Sequence, residues 1–161
     1  MRKADVEVLL NVNEELRVIS VRSAETLLET LRTKLGLTGA KPGCENGDCG
    51  ACTILMNDTP YKSCLMLTVE LAGTEHTITT IEGLHNTPIQ EAFSKHYAFQ
   101  CGYCTPGLIM NAHALIGQIP HPDNRDIQEW LESNICRCTS YEEIERAVKS
   151  AAMDVHPPPL G

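Results

Sequence analysis

"GCENGDCGACT", residues 43–53, decides how the chain is read. It puts Cys44, Cys49 and Cys52 on one stretch, with four and then two residues between them, and Cys64 follows after eleven more. This is the spacing expected of a plant-type 2Fe–2S cluster. Three thiolates must wrap a compact inorganic core, so the backbone has to come close to it. Gly43, Gly47 and Gly50 allow the unusual φ angles this requires. N–H groups beside them can then point at sulfur and stabilise the charge added on reduction. Zinc sites favour two well-separated cysteine pairs, a poorer match to three cysteines within nine residues and a lone fourth. A Rieske centre needs two histidine ligands, and none of the six histidines lies within two residues of a cysteine.

Four cysteines remain, and they form a second set: Cys101 and Cys104 in "FQCGYCTPG", then Cys136 and Cys138 in "NICRCTSY". Thirty-one residues lie between Cys104 and Cys136, which is no common ferredoxin spacing. Helix-start signals suggest the geometry. Thr105-Pro106 follows Cys104 directly, with Thr105 read as a cap, and Ser140 with Glu143 forms a capping box two residues beyond Cys138. Each pair therefore sits just before a helix N-terminus, where partial positive charge and free N–H groups favour an anionic cluster. The interval is about one out-and-back of two helices, which brings the pairs together. Arg137 can add a full charge there. A structural zinc with the same four thiolates stays open on spacing alone. A thioredoxin-like dithiol fits less well, because no strand leads into Cys101.

The rest of the chain supports two units, 1–84 and 85–161. In the first, Val6, Val8, Leu10 and Val12 alternate as in a half-buried strand. A turn at Asn13-Glu14-Glu15 leads to a return strand over 16–21. Ser23 is read as the cap of a helix with Leu27, Leu28, Leu31 and Leu35 on one face, ended by Gly36. Short strands are expected near 53–56, 60–63 and 77–81. The second unit reads as four helices, opened by Thr87-Pro88, Thr105-Pro106, Asp123 and Ser140. The tail His156-Pro157-Pro158-Pro159 cannot continue a helix and is expected to be mobile.

Bulk properties exclude several classes. A net charge of -8 without a Lys/Arg run argues against a nucleic-acid binder. Apolar runs such as Leu65-Met66-Leu67 fall far short of the roughly 18 residues of a membrane span. The start lacks the apolar region of a signal peptide, so a cytoplasmic protein is expected. In that reducing compartment eight cysteines point to metal rather than disulfides. The chain has no G-x-G-x-x-G loop. His113, in an apolar stretch, reads as a core-edge residue rather than a base.

With both cysteine motifs in view, the chain resembles the small iron–sulfur subunit of the molybdenum hydroxylases. These are the xanthine dehydrogenase, aldehyde oxidoreductase and aerobic carbon monoxide dehydrogenase enzymes. "GCENGDCGACT" with Cys64, "QCGYCTPG" and "NICRCTSY" carry the likeness, which runs from about Val6 to Ala152. It implies an α+β fold: an N-terminal β-grasp, ferredoxin-like 2Fe–2S domain, then a C-terminal four-helix bundle with a second 2Fe–2S cluster. The implied ligands are Cys44, Cys49, Cys52 and Cys64, and Cys101, Cys104, Cys136 and Cys138. The resemblance also makes Gln100 and Cys138 contacts of a pterin. That pterin belongs to a molybdopterin, in the cytosine dinucleotide form, carrying molybdenum on a large partner subunit. FAD is implied on a medium subunit, in a dimer of heterotrimers. The implied activity is electron relay from molybdenum to FAD, with no substrate site on this chain. A free-standing ferredoxin-like carrier or redox sensor is the alternative, and a zinc-organised adaptor a weaker one. One departure concerns turns: relatives often carry Asn-Gly or Asp-Gly where this chain has Asn13-Glu14 and Asn57-Asp58. Glu14 takes positive φ less cheaply than glycine, which leaves that turn's geometry open.

Overall fold

The computed structural model describes residues 5–157. Strand β1 (Val6–Val12) and strand β2 (Glu15–Val21) form an antiparallel hairpin, with Val6 opposite Val21 and Val12 opposite Glu15. Helix α1 (Leu27–Thr33) follows, then β3 (Thr53–Met56), β4 (Thr59–Lys62) and β5 (Thr77–Thr79). The five strands lie in one sheet in the order β2-β1-β5-β3-β4. β5 runs parallel to β1 and antiparallel to β3. The inward positions of β1 (Val8, Leu10, Val12) join Leu27, Leu28 and Leu31 of α1, and Ile54 and Met56 of β3, in one core. Burying each such side chain contributes roughly 1.5–3 kcal/mol.

Both hairpin turns keep left-handed backbone without glycine. Asn13 and Glu14 have φ of 52° and 67°, and Asn57 and Asp58 have 48° and 61°. Positive φ at both central residues matches the twist of the flanking strands. Asn13 also secures its turn: its Oδ1 accepts the Thr80 N–H at 2.9 Å and its Nδ2 donates to Thr80 Oγ1 at 3.0 Å. The backbone therefore leaves the sheet at Thr80, and β5 is shorter than the 77–81 expected.

The cap of α1 is Thr26, not Ser23. Thr26 Oγ1 accepts the Glu29 N–H at 3.1 Å. Residues 22–25 are taken by a turn in which Glu25 N–H donates to the Arg22 carbonyl at 3.0 Å. The Leu27 N–H, at 2.8 Å from the Met66 carbonyl, fixes where the first turn begins. The helix ends at Thr33 with Lys34 as its C-cap, so Leu35, expected on its face, lies beyond it, and Gly36, at φ 70°, turns the chain away.

The second half holds α2 (Pro88–Lys95), α3 (Thr105–Gln118), α4 (Asn124–Leu131) and α5 (Tyr141–Val155). They surround a core that includes Phe93, Leu108, Leu115, Ile127, Ile144 and Val148. The caps at Thr87, Asp123 and Ser140 stand where the sequence puts them. Asp123 Oδ1 accepts from Arg125 N–H at 2.7 Å and Asp126 N–H at 2.9 Å. Thr105 is not a cap. The Cys104 carbonyl already accepts the Leu108 N–H at 3.1 Å, so Cys104 takes the capping position and Thr105 is the first helical residue. Helix α5 stops at Val155, as the proline run demands. Pro158 and Pro159, on which the expectation of a mobile tail partly rests, lie outside the described residues.

β3 is buried along its whole length. One face meets α1. On the other, Leu55 packs with Met110 and Ala114 of α3, with Ile81, Leu84 and Trp130 at the edge. The helical half thus covers the strand that follows the first cysteine loop.

Candidate metal centres

The first cysteine loop is closed at its base, where Lys41 N–H donates to the Ala51 carbonyl at 2.9 Å. Within it the Cys49 N–H points at Cys44 Sγ, 3.3 Å away. Backbone N–H groups of Cys49 and Asn46 hold the Cys44 thiol down at about 7. Gly43, unlike Gly47 and Gly50, is not at positive φ; it gives room instead, since a Cβ there would stand 2.5 Å from Cys49 Sγ. Gly47, at φ 90°, aims its N–H at Cys64. Cys64 sits on a short 3-10 turn, Ser63–Leu65, after β4. Ser63 clamps it to the loop, donating its Oγ–H to the Cys52 carbonyl at 2.7 Å. Cys52 and Cys64 are both buried, and burial, with the neighbouring Cys52 thiol, pushes the Cys64 thiol up to about 11. The first set therefore divides into Cys44 with Cys49, and Cys52 with Cys64.

The second set divides in the same way. Cys101 Sγ and Cys138 Sγ are 3.5 Å apart, and both residues are exposed. The Tyr103 N–H and the Cys138 thiol hold the Cys101 thiol below its ordinary value. Cys104 is buried against Cys136, and burial pushes its thiol up to about 12. Thr139 N–H donates to Cys136 Sγ at 3.4 Å, just ahead of α5. Both pairs thus lie at the N-terminal ends of α3 and α5, as the sequence spacing requires. Arg137 and Gln100 are exposed beside the Cys101–Cys138 pair in sequence. His113 is half-buried, and burial depresses its pKa, which suits a core-edge residue.

Several residues at the junction of the two sets escaped the sequence reading. Ile135 N–H donates to the Cys49 carbonyl at 2.9 Å. Asn134 Nδ2 donates to the Gly50 carbonyl, also at 2.9 Å. Asn111 Nδ2 reaches Asn134 Oδ1 at 3.0 Å, and Lys62 Nζ donates to the Ser133 carbonyl. Burial pulls the Lys62 pKa down, while the four thiols of the first set, Cys52 foremost, push it up. Tyr141 Oη donates to the Asn134 carbonyl at 2.8 Å and accepts the Cys136 N–H at 3.3 Å. The available signal was Asn111, a polar side chain inside the apolar run of α3. Nothing in the periodicity marks Asn134.

Among the described residues, no three Cys, His, Asp or Glu side chains converge as a site for one metal ion. Paired thiols with backbone donors fit a two-iron core better, since each iron takes two cysteine ligands. Tetrahedral zinc instead draws four thiolates to about 2.3 Å from one point.

Comparison with known proteins points to iron–sulfur binding in both halves of the chain. A family model described as a 2Fe-2S iron-sulfur cluster binding domain matches residues 10–77, and one described as a [2Fe-2S] binding domain matches 80–149. The small subunit of nicotine 6-hydroxylase from Paenarthrobacter nicotinovorans is 44% identical over 149 residues, covering 91% of this chain and 89% of that protein. Among solved structures, quinoline 2-oxidoreductase from Pseudomonas putida 86 superposes with a TM-score of 0.88 at 38% identity. That match covers 93% of this chain and 94% of the other. Aldehyde oxidoreductase from Desulfovibrio gigas gives 0.86 at 35% identity, covering 92% of this chain but 17% of that longer one.

Proposed function

Because the chain belongs to the family of iron–sulfur small subunits of the molybdenum hydroxylases, we propose that it relays electrons from a molybdopterin centre to FAD, both held by partner subunits. The two clusters supply one-electron redox chemistry when bound. This chain's residues fix where they sit, which sulfurs meet a partner and how the sites connect. The carrying observation is the division of eight thiols into two sets of paired sulfurs, joined by the Ile135–Cys49 hydrogen bond.

In this reading Cys44, Cys49, Cys52 and Cys64 hold one cluster in a β-grasp, ferredoxin-like domain, residues 1–84. Cys101, Cys104, Cys136 and Cys138 hold the other in a four-helix bundle, residues 85–161. Exposure gives the second site a direction. Cys101 and Cys138 face outward, beside exposed Gln100, and suit the approach of a pterin on the large subunit. Cys104 and Cys136 face inward, against the helical core, and Cys136 follows directly on the segment that touches the first loop. The loop tip at Glu45, Asn46 and Asp48 is exposed and suits the FAD-bearing medium subunit. A cytosine dinucleotide form of the molybdopterin, a dimer of heterotrimers and a cytoplasmic setting complete the proposal. Among the described residues no helix is long and apolar enough to cross a membrane.

Iron and acid-labile sulfide analysis with EPR tests the relay, expecting about four irons per chain and two 2Fe–2S signals. Colourless protein with stoichiometric zinc refutes it. Purification of the native protein without molybdenum and FAD subunits supports a free-standing carrier instead. Gln100→Ala should leave both clusters assembled and slow turnover; unchanged turnover removes Gln100 from the pterin contact.

A further inference from the structure

The segment Ser133-Asn134-Ile135 leads directly into Cys136 and lies against the first cysteine loop. Asn134 is 1% exposed and Asn111 is 2% exposed. Every polar atom of the Asn134 side chain has a partner. Its Nδ2 donates to the Gly50 carbonyl at 2.9 Å, and its Oδ1 accepts from Asn111 Nδ2 at 3.0 Å and from Ser133 Oγ at 2.9 Å. Asn111 is in turn anchored to the Trp130 carbonyl at 2.6 Å. The Asn134 carboxamide is thus held in place, because leaving a buried polar group unpaired costs about 1–3 kcal/mol. Its position is also set sterically: a Cβ on Gly107 of α3 would stand 2.1 Å from the Gly50 carbonyl oxygen. The network brings Ile135 N–H to 2.9 Å from the Cys49 carbonyl. A residue of the first cysteine set is thereby joined, through one hydrogen bond and one intervening residue, to Cys136 of the second.

We propose that Asn134 is a positioning residue for electron transfer between the two clusters, holding the Ile135–Cys49 hydrogen bond and the spacing of the two sites. The inference rests on the two-cluster reading above. The step is a single electron leaving the reduced cluster of the helical half and reducing the oxidised cluster of the ferredoxin-like half. No proton moves and no bond forms or breaks. Asn134 touches neither cluster in this account. It acts through the backbone of Ile135 and Gly50, and Asn111 fixes its carboxamide.

The test uses the native complex with its partner subunits, comparing wild type with Asn134→Asp, which keeps the volume but faces the Gly50 carbonyl with a carboxylate. Dithionite-reduced samples are read by low-temperature EPR for the spin–spin splitting between the clusters. Electron redistribution after flash photoreduction is read optically. The expected result is two retained 2Fe–2S signals, a weakened splitting and redistribution slowed roughly 10-fold or more, the scale on which outer-shell partners act at metal sites. Two retained signals with unchanged splitting and rate overturn the proposal. A lowered Tm alone, with unchanged splitting and rate, is the signature of a merely structural residue and overturns it too. If Asn134→Asp fails to assemble a cluster, Asn111→Ala decides. Weakened splitting with both clusters present supports the proposal, and unchanged splitting overturns it. Absence of two 2Fe–2S signals in the wild type is a separate failure, because it removes the relay reading itself.

Discussion

The two cysteine sets reach similar ends by different routes. The first is largely local. Three cysteines share one loop, closed by Lys41–Ala51, and Ser63 fastens the fourth through the Cys52 carbonyl. The second is assembled by packing. Its pairs lie on separate segments and meet because α3 and α5 share a core with α2 and α4. A locally built site survives loosening of its surroundings better than one built from helix ends. The helical half should therefore be the fragile member of the relay.

Removing a ligand gives the largest effect and tests whether the sites are separate. Cys104→Ser takes away a buried thiol at the N-terminus of α3, so the EPR signal of the helical half should be lost while the other persists. Equal loss of both signals would show one cooperative site and break the comparison.

Next comes a pair of truncations at core residues that are not ligands, each in the same buried cluster as the cysteines of its half. Phe93 on α2 is 1% exposed, and Phe93→Ala should cost about 3–5 kcal/mol. Leu31→Ala on α1 should cost about 2–5 kcal/mol. The helical variant should lose cluster content in its own half, read as iron per chain and EPR intensity. The Leu31 variant should lower the melting temperature yet keep its cluster. Equal cluster loss in both would refute the distinction between a local and a packed site.

The same contrast explains what the sequence made legible. The first loop's ligands and glycines are contiguous, so spacing alone carries the chemistry. The capping boxes at Thr87 and Ser140, and the double acceptance by Asp123, are likewise written within four residues. Thr26 displaced Ser23 as a cap because the Leu27 N–H answers Met66, a contact nearly forty residues distant that no local pattern reports. Glu14 at φ 67° reads as unfavourable alone, and is sustained by Asn13 bonding to Thr80. Asn134 was invisible for the same reason, since it bonds Gly50 and Asn111 in distant segments, and Asn111 showed only as a polar residue in an apolar run.

A smaller effect probes the seam between the halves. Gly107→Ala puts a Cβ against the Gly50 carbonyl, a backbone atom that cannot swing aside. Overpacking of this kind typically costs about 1–3 kcal/mol. The melting temperature should fall, and both clusters should remain at low temperature. A variant as stable as wild type would mean that the two halves slide easily over each other.

The smallest effect separates the halves by acid. Glu25, in the turn just before α1, is 1% exposed. Burial pushes its carboxyl up, but Lys34, the Thr30 hydroxyl and the Arg22 N–H together outweigh that and hold it below the ordinary carboxylate value. A depressed folded-state value means the carboxylate stabilises the fold above its unfolded value, and that contribution is lost as pH falls through the folded one. The contribution belongs to the first half, where Thr30 also bonds Thr68 Oγ1 at 2.8 Å to brace the segment after Cys64. Melting temperature measured from neutral pH into the acid range should therefore fall less steeply in Glu25→Gln than in wild type. An unchanged slope would mean that the ion pair with Lys34 contributes nothing. Hydrogen exchange in mild acid should then show α1 opening before α3, even though the helical half is the more fragile at its cysteines.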